Sequence, residues 1–444
     1  MIALSLLAAL AQPTSVPARV DPRLHDIARS IAPAAMERTI RKLVSFGTRH
    51  TFSDTVSTTR GIGAARRWIK AEFDQIASGC GGCLETRYDR GMLTATPGSR
   101  VTKEAELVNV IAIQRGRRYP DRYVLITGHY DSRASDGNDA TSDAPGAVDD
   151  ASGTAAVIEA ARALSRLTFD KTIVYGALAG EEQGLLGGQQ LAKYAKAQGW
   201  AIEGVLNNDI VGNSEGIDGQ TDNLTFRIFS EPVAATETEA ERRGRRVTGG
   251  ESDGPSRQLA RYVHAIARQV LPTMRPKLIY RLDRFGRGGD HRAFNDEGFA
   301  AVRITEAFEN YDRQHQNVRT ENGVAYGDVA DKVDFPYSAR IAGVNAAALA
   351  ALAWAPPAPA TVALRGGGRA STTLSWPTVA GAAGYVVYWR DTTEPTWTMS
   401  RYVGTATEPT LEGVLIDDHL FGVASVSATG TESLVTFATP TAGR

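Results

Sequence analysis

The stretch KTIVYGALAGEEQGLLGGQQLAKYAKAQ, Lys171–Gln198, opens on an apolar, β-branched run and closes on apolar residues at three- and four-residue spacing. The first half has the make-up of a buried strand and the second that of an amphipathic helix. Between them stand Glu181 and Glu182, with Gly180 before them and Gly184 after. Successive residues of an extended segment face opposite ways. Two carboxylates where a buried strand empties into a glycine-rich loop therefore suggest two different jobs in one cleft.

The same alternation extends on both sides. Upstream, ELVNVIAIQ and RYVLITGH read as strands, and DDASGTAAVIEAARALSRL as a helix that Asp150 or Ser152 caps. Downstream, IEGVLNNDIVGN is a strand, SDGPSRQLARYVHAIARQV a helix and FAAVRITEA a strand. The chain from about Asp21 to Ser78 reads helical, carried by AAMERTIRKLVSF and GAARRWIKAEFDQIAS. Strands alternating with helices predict an α/β fold: a mainly parallel mixed sheet sandwiched by helices. We expect this domain to span 21–355. A Pro/Ala-rich stretch, Trp354–Gly368, changes the composition and predicts a linker at 356–366. Beyond it STTLSWPTV, AGYVVYWRD and LFGVASVSATG alternate as short strands, and predict a small all-β sandwich over 367–444. That segment resembles a fibronectin type III module, with Trp376 early, GYVVYW as a middle strand and FGVASVSATGTES as the penultimate strand and turn. It carries no catalytic constellation, so its expected role is to bind a surface, the substrate or the larger domain.

With 444 residues, 42% hydrophobic and 22% charged, the chain has ample material for two globular domains. A formal net charge of -1 offers no basic field for nucleic acid or an anionic membrane. Arg242, Arg243, Arg245 and Arg246 read as solvated loop. Residues 1–11 read as a signal peptide ending at Ala9-Leu10-Ala11, although without the usual basic n-region. No later segment approaches the ~20 uninterrupted apolar residues of a membrane span. The expectation is an exported protein, periplasmic or extracellular, and in that setting Cys80 and Cys83 form a local disulfide. A zinc ribbon would need a second cysteine pair.

Ligands of such sheets collect at the carboxyl ends of strands. Here those ends carry His129 and Asp131, Asp149 and Asp150, Glu181 and Glu182, Asp209 and, in FENYDRQHQNVRT, His315. Each alone has an ordinary reading as a cap, a hydrogen-bonded core group or a solvated end. Gathered in one crevice, however, the carboxylates would repel unless a cation neutralised them. Imidazole and carboxylate without thiolate suit zinc, with other divalent metals open. The donors exceed what one catalytic zinc needs and suit two ions sharing a carboxylate. A water between such ions becomes a nucleophile near neutral pH, and an uncoordinated carboxylate must take its proton.

The order H-x-D, D-D-x-S-G, E-E, N-x-D and a late His resembles the M28 zinc aminopeptidases over roughly Ile31 to Ala353. The resemblance implies a dizinc exopeptidase acting on peptides. It implies His129 and Asp209 as ligands of one zinc, Glu182 and His315 of the other, and Asp149 as the shared carboxylate. It implies Glu181 as general base and Asp131 as the acid that orients the His129 imidazole. GRGGDHRAFNDEG resembles the family's S-D-H-x-x-F segment with Gly289 in place of Ser, which brings Asp290 and His291 near the site for substrate contact or loop support. Gln314 stands where some relatives carry Tyr, with Tyr311 close by, so the partner of the scissile carbonyl stays open. His50, His25, His264 and His419 are expected to be structural. Two alternatives share the fold: a glutaminyl cyclase using one zinc, and a carboxypeptidase needing a basic pocket, for which Arg133, Arg287 and Arg303 are available. A third is a non-catalytic binding protein anchored by the β-sandwich.

Overall fold

The computed structural model describes residues 21–440, so the signal peptide expected at 1–11 lies outside the described residues. The chain falls into two compact units that part between Trp354 and Ala355. The larger is built on eight strands: β1 (Glu85–Leu93), β2 (Ala105–Gln114), β3 (Tyr119–His129), β4 (Lys171–Leu178), β5 (Ala201–Asn208), β6 (Thr225–Phe229), β7 (Arg275–Ile279) and β8 (Ala301–Glu306). Their order is β1-β2-β4-β3-β5-β8-β6-β7. The four central strands, β4, β3, β5 and β8, run parallel. The flanks are mixed: β1 and β2 run antiparallel at one edge, and β6 meets β8 antiparallel and β7 parallel at the other. A short hairpin, β9 (Arg319–Glu321) and β10 (Val324–Tyr326), follows the sheet.

Helices α1 (Pro22–Ser30), α2 (Pro33–Val44), α3 (Gly61–Gly79), α4 (Ala151–Leu164), α5 (Leu186–Ala197), α6 (Glu239–Thr248), α7 (Pro255–Val270), α8 (His291–Asp296) and α9 (Phe335–Trp354) complete the unit. Every residue of β4 is buried, as a strand covered on both faces requires. Toward one face, Ile111, Ile113, Leu125 and Val174 pack with Leu191, Ala192 and Ala195 of α5 and Phe294 of α8. Val124 and Ile126 alternate with these along β3 and are equally buried. Helices α4 and α7 each pack on α9, with α4 and α9 against β3 and β4 and α7 against β8, on the other face. Nearly all of α9 is buried, which explains a helix apolar on all sides rather than along one stripe. Among the described residues no helix is long and apolar enough to cross a membrane.

The arginine cluster at 242–246 departs from the expected loop: it lies in α6, which has no buried residue. Thr238 and Glu241 form a capping box there, and Arg242 pairs with Glu239 at 2.7 Å and Arg245 with Glu237 at 2.8 Å. Cap and ion pairs together hold a helix that has no apolar face to bury. Cys80 and Cys83 are disulfide-bonded just past α3.

The smaller unit has β11 (Ala363–Arg365), β12 (Ser371–Ser375), β13 (Gly384–Asp391), β14 (Met399–Tyr402), β15 (Thr410–Glu412), β16 (His419–Val426), β17 (Thr436–Phe437) and β18 (Thr439–Pro440). They form two four-stranded sheets, β15-β12-β11-β18 and β14-β13-β16-β17. Leu374 and Leu411 of the first sheet and Tyr385, Val387, Phe421 and Val423 of the second share one core with Trp376. Strand β11 begins inside the stretch expected as linker. Leu364 packs onto that core, a contact that a Pro/Ala-rich composition does not reveal.

Candidate metal centre

The carboxyl ends of β3, β4 and β5, the loop before α4 and the segment after β8 converge, as the crevice rule for parallel sheets requires. Buried acids fasten them together. Asp150 caps α4, accepting from Gly153 N at 2.9 Å, and also accepts from His129 N at 3.0 Å and Ile210 N at 3.2 Å. Asp131 accepts from the amides of both glutamates, Glu181 N at 3.2 Å and Glu182 N at 3.1 Å. Asp328, from the segment after β10, accepts from Val148 N at 2.9 Å and Asp149 N at 2.7 Å. The turn between β4 and α5 depends on glycine at two points. Gly180 has φ 72°, and a Cβ at Gly187 would collide with the carbonyl oxygen of Ala179.

The side chains so placed face one another in pairs. His129 Nε2 lies 3.1 Å from one oxygen of Asp149, and His315 Nε2 lies 3.0 Å from the other. His315 Nε2 is also 2.9 Å from Glu182 Oε1, and His129 Nε2 is 3.9 Å from Asp209 Oδ1. Two trios each bring a donor atom of every member within 4.8 Å: His129, Glu181 and Asp209, and Asp149, Glu182 and His315. His129 Nε2, Glu182 Oε1 and Asp209 Oδ2 are buried without a hydrogen bond among the described residues. Donors on one tetrahedral zinc, each about 2.1 Å from it, lie about 3.4 Å apart. The spacings and orphaned atoms therefore fit two adjacent cations. Glu181 lies in the first trio, close to His129 and Asp209, although the sequence expectation kept it off the metal.

Electrostatics agree with a site built for cations. Burial pushes the Glu181 carboxyl well above its ordinary value, and Asp209, Glu182 and Asp290 push it further. Burial opposes ionisation of Asp149, but the imidazoles of His129 and His315 beside its two oxygens outweigh it and hold its pKa well below the usual range. Asp131 sits against the far side of the His129 ring, its Oδ1 at 3.5 Å and its carbonyl at 3.2 Å from Nδ1.

The remaining expected residues divide. Asp290 is fully buried, neither carboxylate oxygen has a hydrogen bond among the described residues, and burial pushes its pKa up to about 7. His291 lies outside the cleft lining; its Nε2 is 2.9 Å from Leu282 O, and burial lowers its pKa to about 4, so it braces the preceding loop. Tyr311 and Gln314 both line the cleft. His50 is buried in its own loop, with Gly137 O 3.0 Å from Nε2 and Phe52 N donating to Nδ1.

Arg303, one of three cations considered for a basic pocket, is instead fully buried and donates to Asp209 Oδ1 at 2.8 Å. It also explains Gly289: a Cβ there would lie 2.8 Å from the Arg303 guanidinium and 3.0 Å from Asp209. Arg133 and Arg287 do line the cleft, joined by Arg100, Arg284 and Arg292, which sequence reasoning did not single out. Nor did it find Asp328, whose partners lie 180 residues away.

A donor set of this kind at the carboxyl ends of a parallel sheet defines a metal-dependent hydrolase centre. The description "Peptidase family M28" matches residues 109–350. A probable zinc metalloprotease of Leptosphaeria maculans is 43% identical over 420 residues, covering 94% of this chain and 97% of its own. Among solved structures, the LapA aminopeptidase of Legionella pneumophila superposes with a TM-score of 0.54 at 18% identity, covering 78% of each chain. A glutaminyl cyclase of Macrostomum lignano does so with a TM-score of 0.52 at 12% identity, covering 76% of this chain and 94% of its own. The chain belongs to peptidase family M28 and is a zinc-dependent peptidase.

Proposed function

We propose that this peptidase is a dizinc exopeptidase that removes residues from the free N-termini of peptides. The observation that carries the reading is Asp149, whose two oxygens each face a different histidine. His129 and Asp209 would hold one zinc, Glu182 and His315 the other, and Asp149 would serve both. Zinc supplies Lewis-acid polarisation of the scissile carbonyl and a water acidic enough to attack near neutral pH. Glu181 takes the proton from the attacking water and returns it to the leaving amine. Burial of its carboxyl, which favours the protonated form, suits a group that takes up and returns a proton. Asp131 fixes the backbone of Glu181 and Glu182 together, so ligand and base keep their separation, and it orients the His129 ring. The same fold serves an aminopeptidase and a glutaminyl cyclase in the solved structures, so the fold alone does not choose between them.

Metal analysis combined with matched peptides, free or acetylated at the N-terminus, tests this reading. Two zinc ions per chain and cleavage of free peptides only are expected. Equal cleavage of acetylated peptides would end the aminopeptidase assignment. One zinc per chain with cyclisation of N-terminal Gln would replace it with the cyclase.

We further propose that the smaller unit is a fibronectin type III-like accessory module and that the protein acts outside the cytoplasm. Two sheets around the Trp376 core support the first, and the Cys80–Cys83 disulfide supports the second. Deleting 356–444 should leave turnover of short peptides intact; its loss would remove the accessory role. Finding the protein in the reducing cytosolic fraction would remove the second.

A further inference from the structure

The cleft at the metal centre has a volume of about 670 Å³, and its charged lining is of two kinds. Asp149, Glu181, Glu182 and Asp209 line it as the metal-facing group. Its other charged lining is cationic: Arg100, Arg133, Arg284, Arg287 and Arg292, drawn from the loop after β1, the loop after β3, the segment between β7 and α8, and the start of α8 itself.

These cations are poorly compensated. Arg284 and Arg287 reach Glu309 at 2.9 and 3.0 Å, but Glu309 also holds Arg227 at 2.9 Å, so one carboxylate serves three guanidiniums. Arg284 has Asp283 as a further partner at 3.2 Å. The other three have only carbonyl oxygens among the described residues. Arg100 donates to Glu182 O at 2.7 Å, Arg133 to Ala134 O and Ser135 O at 3.2 Å each, and Arg292 to Arg287 O at 3.5 Å. A carbonyl satisfies a donor without neutralising its charge. Arg133 and Arg292 are half-buried as well, where a guanidinium without a carboxylate partner attracts an anion more strongly than it would in open solvent, and Arg287, also half-buried, shares its carboxylate with two other guanidiniums. A merely solvated arginine face would point away from the cleft, whereas these line it.

We propose that the cleft selects peptides bearing a carboxylate close to the scissile bond, held by Arg133, Arg287 and Arg292 with Arg100. This inference rests on the peptidase reading and names its substrate class. The carboxylate has two sources, an acidic side chain or the terminal carboxyl of a short peptide. Both present the planar pair of oxygens that guanidinium binds in a fork. The metal-facing carboxylates would not cancel this field once His129, Asp149, Glu182, Asp209 and His315 held zinc, whose charge would offset theirs.

The test uses zinc-loaded Glu181→Gln protein, which holds peptide without turning it over, and calorimetry with three tetrapeptides: all-alanine amide, all-alanine free acid, and an amide with Glu at the second position. At least one acidic peptide should bind tenfold or more tightly than the neutral amide, and whichever gains identifies the source. The gain should shrink at high salt and in an added Arg133→Gln, Arg292→Gln background. Equal or absent binding of all three, or a preference that survives loss of both arginines, overturns the inference. The same peptides with the wild-type enzyme separate the two readings. Rapid cleavage of all three alike overturns the inference and leaves the peptidase standing. Charge-selective binding without cleavage of any peptide retains the inference and overturns the exopeptidase.

Discussion

Replacing Glu309 by Gln removes one negative charge from beneath the arginine-lined wall of the cleft. Its side chain is 3% exposed and meets Arg227, Arg284 and Arg287 at 2.9, 2.9 and 3.0 Å. Burial alone would raise its pKa, but Arg284, Arg303 and Arg227 outweigh burial and bring it from 4.5 to about 2. A carboxylate with a depressed folded-state pKa stabilises the fold fully above its unfolded pKa, and that contribution fades as pH falls toward the folded value. The shift corresponds to about 3 kcal/mol at pH 7, shrinking to about 1 kcal/mol at pH 3. Urea unfolding of the larger unit, followed from pH 3 to 7 on metal-free wild type and Glu309→Gln, isolates this contribution. Acids remote from Glu309 titrate alike in both proteins and cancel in the difference; Glu306, whose pKa Glu309 helps to raise, is the neighbour whose titration also changes. The stability gap should therefore be largest at neutral pH and narrow with acidification. A gap that stays constant across that range would refute the assignment of Glu309 as the counter-ion of the arginine group.

Four further outcomes are expected. Glu181→Gln should lower kcat by about 10²–10⁴-fold with zinc content unchanged; lost zinc would make Glu181 a ligand, as its place among His129 and Asp209 allows. Asp149→Ala should release both metals together on dialysis, and retention of one would show that the carboxylate is not shared. Gly289→Ser should press on Arg303 and Asp209, costing about 1–3 kcal/mol and weakening zinc binding; a variant of unchanged Tm and zinc affinity would show that the loop yields. Chelation should lower Tm and zinc should restore it, by about 2.7 kcal/mol of stability at a hundredfold excess over Kd; a Tm indifferent to metal would count against a site formed only in the folded state.

The centre of the fold was legible because it obeys simple periodicities. The apolar runs of β3, β4 and β5 and the capped start of α4 announce buried strands and a helix, and the acids and histidines at their ends fall where the fold needs them. The parallel run of the centre was legible from the strand–helix alternation, but the direction of the flanking strands was not. Alternation marks β2 as a strand but does not say that it pairs antiparallel with β4. Arg303 sits in an apolar strand, where the sequence offers a charge without its partner; Asp209, just past the end of the neighbouring strand β5, supplies the partner only once the sheet is formed. Asp328 was hidden for a similar reason, since a lone acid after a hairpin looks like any solvated turn until the backbone of Val148 and Asp149 arrives beside it. The cleft arginines come from distant loops and the start of α8, and only the folded chain shows that they share a wall.

The clasp between Asp328 and the 148–149 backbone has a consequence for synthesis. His129, Asp149, Glu182 and Asp209 emerge from the ribosome well before His315, and Asp328 follows later still. A nascent chain that has reached β8 holds most of the donors but neither the second imidazole nor the carboxylate that fastens Asp149. The complete cradle is therefore a product of nearly the whole larger unit. Closure of the site around Asp149 waits until most of the larger unit has been made.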